Sequence, residues 1–233
     1  MIPGANTGNW FRPWYEHAIV VFDVETTGLS PENDRIIELG VARFENRRLV
    51  AKWGTLLHPG RDVPEEASKI HGITTADVAS APRFQASLPR LLWMTRDAWP
   101  CAYNGLFDER FWTSELGRLT GLDLSTVTVP MFNSAFRWID PVVWVRHKHG
   151  IWAGNKLVEA CKRKDISIES AHRATDDAEA TGKLLFAMAQ DNEIPPYTMF
   201  ELIRRQEALD RVHDNERAEW FAKKGYPYER RYE

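Results

Sequence analysis

Cysteine is nearly absent: Cys101 and Cys161 are the only two in 233 residues. A disulfide framework is thereby excluded, and neither cysteine sits in the Cys/His spacing of a zinc site. No apolar run approaches the roughly 18 residues that a membrane span needs. The start, Met1-Ile2-Pro3-Gly4-Ala5-Asn6, lacks the charged-then-apolar order of a secretory signal. A cytoplasmic protein without a membrane partner is the expectation. Positive charge is not in excess either, with a net charge of −3 and a pI near 6.2. Dedicated DNA-binding proteins are usually basic, so composition alone argues weakly against a nucleic-acid substrate. An enzyme that holds cations in carboxylates escapes that argument, because the bound ions supply the missing charge. Internal repeats and low-complexity segments are also lacking. Tryptophan, by contrast, is abundant at ten residues. The plainer reading is core packing; the sharper one is a platform on which bases stack.

One stretch organises the rest: Val20-Val21-Phe22-Asp23-Val24-Glu25-Thr26-Thr27-Gly28-Leu29. An apolar run leads into Asp23 and Glu25, and a turn follows at once. Strand side chains alternate faces, so Asp23 and Glu25 project together from a strand end. Paired carboxylates repel, and a shared proton, a cationic side chain or a divalent metal must compensate.

The pattern along the chain predicts a first strand over 17–24, a second over 35–44 and a third over 49–57. Glu45-Asn46-Arg47-Arg48 reads as the polar hairpin that makes the third strand antiparallel to the second. Pro64 opens a short helix ending near His71-Gly72, and Thr74 to Asp77 caps another. Phe84–Met94 has helical spacing, Trp99–Asn104 is a fourth strand, and Phe107–Leu119 is a helix with Phe107, Phe111 and Leu119 inward. Residues 121–136 form a long loop of no clear pattern. A short fifth strand is expected at Arg137–Asp140, then helices over Pro141–Lys148 and Asn155–Lys164. Thr175 or Asp176 caps a helix to about Ala189, with Ala178, Leu184, Leu185 and Met188 inward. A long helix over 197–225 carries a stripe at Leu202, Leu209 and the region of Val212. Strands first, then strands alternating with helices, indicate an α/β layered fold with a mixed sheet. The expected divisions are an N-terminal arm (1–15), a central domain (16–194) and a C-terminal helical extension (195–233).

Two further acids stand at element ends. Asp108 lies at the strand-to-helix junction Asn104-Gly105-Leu106-Phe107-Asp108, and Asp177 lies at a helix start in His172-Arg173-Ala174-Thr175-Asp176-Asp177. Either acid alone is more simply a cap or dipole partner. Together with Asp23 and Glu25, in this order and with His172 five residues before the last, they carry more. On these motifs, with Ile36-Ile37-Glu38-Leu39-Gly40 and His71-Gly72-Ile73-Thr74, residues 17–190 resemble the DnaQ-like (DEDDh) 3′–5′ exonuclease family. That family includes the epsilon-type proofreading exonuclease domain of DNA polymerase III. The sister group with Tyr four residues before the last Asp is disfavoured, because that position is Arg173.

The resemblance implies a ribonuclease H-like fold, a mixed sheet flanked by helices. It implies two Mg²⁺ or Mn²⁺ ions held by Asp23, Glu25, Asp108 and Asp177, with Asp23 shared, and His172 as general base. Hard oxygen ligands suit such ions, and a metal pair fits phosphodiester hydrolysis. It further implies that Thr26, Thr27 and Gly28 line the pocket for the 3′-terminal nucleotide, that His71 lies against its sugar or base, and that Phe107 packs near the scissile end. Asn104 is read as holding the turn that presents Asp108. Asp140 is read as a helix cap, and His58, His147, His149 and His213 as surface residues.

The expected function is removal of nucleoside 5′-monophosphates from the 3′ ends of single-stranded or frayed DNA, in replication or repair. An RNA-trimming enzyme is the rival within the class, and a binding module on an exonuclease fold is the rival outside it. The C-terminal helix packs back on the domain, pairs two copies or docks on a polymerase; no motif decides among these.

Overall fold

The structure, a computed structural model, describes residues 11–119, 137–169 and 173–230. Arm residues 1–10 and the loop expected at 121–136 lie outside them. The apolar run of the organising stretch forms β1 (Ala18–Thr26) at the heart of the molecule. It pairs antiparallel with β2 (Ile36–Glu45) and parallel with β4 (Ala98–Ala102); β3 (Arg48–Leu56) closes the other edge. The order β3-β2-β1-β4 makes a mixed four-stranded sheet. Its β2–β3 turn places Asn46 and Arg47 at φ 51° and 64°, the left-handed pair that a tight hairpin requires.

Alternation along β1 sorts the two faces. Val20, Phe22 and Val24 face α3 (Phe84–Thr95) and α4 (Leu106–Gly117), where they meet Leu91, Phe111 and Trp112. Ile19 and Val21 face α5 (Pro141–His149), α6 (Leu157–Lys162) and α7 (Ala174–Gln190). Asp23 and Glu25 continue that second row, so the apolar pattern that buries Ile19 and Val21 also aims both acids toward α7. Two short helices, α1 (Glu65–His71) and α2 (Thr75–Val78), cover Ile37 through Val63, Ala67, Ile73 and Val78. The capping box expected at Thr74 and Asp77 is formed.

Helix α7 sits unusually close to the sheet. A Cβ on Gly40 would lie 2.0 Å from the Ala174 carbonyl carbon, and one on Gly54 would lie 2.0 Å from the Thr175 hydroxyl. Bare backbone on neighbouring strands therefore makes the seat for the first turn of α7. The cap of α7 differs from expectation: Arg173 holds the N-cap position, while Thr175 and Asp176 lie inside the first turn. Ala178, Leu184, Leu185 and Met188 are buried as the pattern indicates.

Three other expectations are corrected. Arg137–Asp140 forms only a single bridge, Cys101 to Ile139, rather than a strand. The helix expected over 155–164 is confined to Leu157–Lys162, because Asn155 turns its side chain back to the Gly150 carbonyl before the helix starts. The long last helix, α8 (Met199–Lys224), exists, but its buried stripe is Met199, Leu202, Gln206, Asp210, His213 and Asp214. Val212 is 51% exposed and Leu209 only partly covered. His213 is thus interior, not superficial, and burial pushes its pKa down to about 4. The stripe is polar because it packs beside α5 and the chain leading into it, where hydrogen bonds await: Gln206 bonds the backbone at Trp138 and Asp140, and Asp214 accepts from the Tyr228 hydroxyl at 2.7 Å. Before β1, Trp14 is fully buried and stacks on Phe186; its indole donates to the Pro195 carbonyl.

The seat of α7 yields a stability prediction. Gly40→Ala forces backbone against backbone and costs about 1–3 kcal/mol or more, whereas Gly54→Ala costs less because the Thr175 hydroxyl can rotate away. Denaturant midpoints of the two variants check the order.

Candidate active site

β1 outruns β4. The parallel pairing stops at Phe22–Ala102, while the antiparallel pairing continues through Asp23–Gly40 and Glu25–Glu38. Past the end of β4 the chain turns at Asn104 (φ 62°) and enters α4, which carries Asp108 in its first turn. α7 brings Asp177 in its own first turn, over the Gly40 seat. One carboxylate oxygen each from Asp23, Glu25 and Asp177 lies within 4.8 Å of the others. Asp108 is buried beside them but stands outside that triad, having come from the helix layer on the other side of the sheet.

The charges interact strongly. Burial, then the negative charges of Asp108, Asp177, Glu25 and Glu38, hold the Asp23 carboxyl well above the usual carboxylate range. Burial, then Glu38 and Asp177, raise Glu25 to about 7, against the opposing pull of Arg173. Asp108 is raised by burial, with backbone hydrogen bonds at Asp108 and Val24 working the other way. Carboxyls that hold protons this tightly are under-compensated, and a hard divalent cation is the compensator that three converging oxygens suit. Mg²⁺ or Mn²⁺ fits this donor set; a soft metal would call for thiolate or imidazole.

Glu38 was quoted in the sequence only as part of a motif, yet it organises one wall. Its carboxylate accepts from the Ala174 amide at 3.3 Å and pairs with Arg173 at 2.7 Å, with only 3% of its side chain exposed. It therefore caps the helix that delivers Asp177 and supplies part of the negative field on Glu25. The signal lay in the hairpin register, which puts Glu38 directly opposite Glu25. His172, the expected general base, lies outside the described residues; its neighbour Arg173 is at the rim of the acid cluster.

The other named residues are placed as follows. Thr26 donates to the Gly28 carbonyl at 2.6 Å, and the Thr27 hydroxyl donates to Asp34 at 3.0 Å while accepting from the Arg35 amide at 3.1 Å. These bonds fold the segment after Glu25 into a fixed loop, with Leu29 83% exposed at its tip. α4 clamps the loop: Glu115 receives both Arg35 nitrogens at 2.7 and 2.8 Å, and Arg118 donates to the Pro31 and Glu32 carbonyls. His71 ends α1, largely buried, and its Nδ1 accepts from the Ile73 amide, which leaves the proton on Nε2 in the neutral ring. Phe107 is partly buried against Phe111, with centroids 4.7 Å apart. Asp140 does cap α5 through Val142, and it also accepts from the Asn104 and Gly105 amides at 3.0 and 2.9 Å, so it holds the turn ahead of Asp108.

A mixed sheet layered by helices, with an acid cluster at the end of β1, is a ribonuclease H-like fold. The exonuclease family model, RNase_T, matches residues 20–185, and the chain belongs to that family. DNA polymerase III subunit epsilon of Treponema pallidum (strain Nichols) is 32% identical over 181 residues, covering 77% of this chain and 80% of that protein. DNA polymerase III PolC-type of Caldanaerobacter subterraneus subsp. tengcongensis is 30% identical over 175 residues, 75% of this chain but 12% of that much longer relative. Among solved structures, exonuclease X in complex with 5′ overhanging duplex DNA shares the fold, with a TM-score of 0.58 at 22% identity over 79% of this chain and 99% of that one. Membership implies dependence on a divalent metal. Among the described residues, no helix is long and apolar enough to cross a membrane.

The raised Glu25 pKa has a stability consequence. Its folded value, about 7, lies above the ordinary 4.5, so the folded state binds the proton more tightly. Without metal, stability then falls as pH rises from about 4.5 to about 7. Glu25→Gln removes that loss: melting in chelator should show the variant gaining on the native chain at pH 8 and not at pH 4.5, with added Mg²⁺ closing the gap at pH 8.

Proposed function

We propose that this protein is a metal-dependent 3′–5′ exonuclease that shortens single-stranded or frayed DNA from the 3′ end, releasing nucleoside 5′-monophosphates. The observation that carries the reading is the convergence of Asp23, Glu25 and Asp177 within 4.8 Å, with Asp108 beside them. Asp23, Glu25, Asp108 and Asp177 hold two Mg²⁺ or Mn²⁺ ions. Bound there, the ions supply Lewis-acid stabilisation of the phosphoryl oxygens and a nucleophile at neutral pH. His172 accepts the proton of the attacking water at an imidazole nitrogen, its ordinary pKa being near working pH. The P–O3′ bond breaks, the shortened strand keeps a 3′-hydroxyl, and the released nucleotide keeps the 5′-phosphate.

The loop at Thr26, Thr27 and Gly28 lines the terminal-nucleotide pocket. His71 lies against the sugar or base, and Phe107 packs near the scissile end. Contacts of this kind read backbone and base face, so cutting is tolerant of sequence. The polymerase III relatives support a replication or repair setting, read as cytoplasmic. Docking of α8 on a polymerase or on a second copy belongs to the same reading.

The test is digestion of 5′-labelled single-stranded DNA and RNA of one sequence with Mg²⁺, Mn²⁺ or chelator. A ladder shortening from the 3′ end with metal, faster on DNA and abolished by Asp23→Ala, is the expected outcome. Shortening of RNA alone reassigns the substrate, and binding without shortening reassigns the protein as a binding module. His172→Ala should lower kcat by about 10²–10⁴-fold while leaving DNA binding in place.

A further inference from the structure

We infer that Gln206 is a positioning residue of the active site, although it lies on α8, beyond the 20–185 span matched by the exonuclease family. The inference rests on the exonuclease reading above and concerns how Asp108 is aimed.

Gln206 is buried, and both ends of its amide are used. Its Oε1 accepts from the Asp140 N–H at 2.7 Å, and its Nε2 donates to the Trp138 carbonyl at 2.9 Å. The segment it grips passes the grip on. The Asp140 carboxylate accepts from the Asn104 and Gly105 amides at 3.0 and 2.9 Å, and Gly105 is the N-cap of the helix that carries Asp108. Asn104 has φ 62°, a left-handed turn that asparagine tolerates, and the Asp140 carboxylate fixes that turn through two amides. A second arm reaches β1: the Trp138 ring packs 5.3 Å from Phe22, the residue before Asp23.

Packing alone does not call for an amide here. Leu202, one turn earlier on the same stripe, is fully buried and apolar. Burying an amide is costly unless both its ends are bonded, and an amide bonded at both ends fixes orientation in a way that a hydrocarbon does not. Polar partners standing behind metal ligands typically govern affinity or activity by about 10- to 100-fold when removed. Gln206 stands one residue further back, acting through Asp140 on the Asn104–Gly105 turn.

The test uses the full chain. Gln206→Met keeps length and removes both hydrogen bonds. It is expected to lower kcat on single-stranded DNA by about tenfold or more with KM held within about twofold. It is also expected to weaken Mn²⁺ binding, followed by electron paramagnetic resonance without DNA, by a similar factor. Leu202→Ala is the matched control: it lowers the melting temperature and leaves kcat unchanged. Gln206→Met added to Asp140→Asn should lower kcat by less than the product of the two single losses. Native kcat and Mn²⁺ affinity in Gln206→Met would overturn the proposal, as would a kcat loss in Leu202→Ala equal to that of Gln206→Met. Should Gln206→Met not fold, Gln206→Asn, which keeps the amide and shortens its reach, carries the same comparison. A native chain that does not cut DNA defeats the exonuclease reading instead, and the Mn²⁺ titration still decides the role of Gln206.

Discussion

The constraint on which this molecule turns is negative charge held closer than it would stay by itself. Two unit charges about 4 Å apart repel by about 4 kcal/mol at the effective dielectric of a protein surface. That exceeds what an exposed ion pair such as Lys69–Glu65 returns, roughly 0–1 kcal/mol. Crowding of this order is sustained by backbone fixed on several sides. β1 is paired on both edges until just short of Asp23, Gly40 and Gly54 admit α7 to contact distance, and Glu38 and Arg173 tie the start of α7 to the sheet. Asp23 and Glu25 are therefore fixed by the sheet itself, and Asp177 by the helix seated on it.

The same frame organises the neighbouring loop. The clamp from Glu115 to Arg35 is two-pronged and buried on the carboxylate side, with 2% of the Glu115 side chain exposed. A planar guanidinium meeting a carboxylate through two parallel bonds is directional as well as attractive. It connects the loop after Glu25 to α4, the helix that carries Asp108 in its first turn. Asp140 does the equivalent on the other side, with three amides converging on one carboxylate.

Much of this was legible in the sequence, for identifiable reasons. The strands around Asp23 and the acids at element ends are written in local alternation and turn chemistry, which survive folding unchanged. Glu38 was not read as part of the site because its partner, Glu25, is a neighbour only through hairpin register. On α8 the expected helix and the burial of Leu202 hold, but the stripe fails at Leu209 and Val212, where apolar does not mean inward. Gln206, Asp210, His213 and Asp214 occupy the inward positions instead; backbone groups satisfy Gln206, and the Tyr228 hydroxyl donates to Asp214. A helix chosen for its hydrogen bonds hides from a search for greasy faces. The expected strand at 137–140 shrank to one bridge for a related reason: its backbone is shared between β4 and Gln206.

The seat on Gly40 also bears on when the acid cluster assembles. Asp23 and Glu25 belong to β1, whereas Asp177 rides on α7, far along the chain, and contacts that span so much sequence form late in folding. A partly folded chain therefore carries Asp23 and Glu25 without Asp177 beside them. Docking of α7 onto bare backbone is thus the step that brings the three carboxylates of the cluster together.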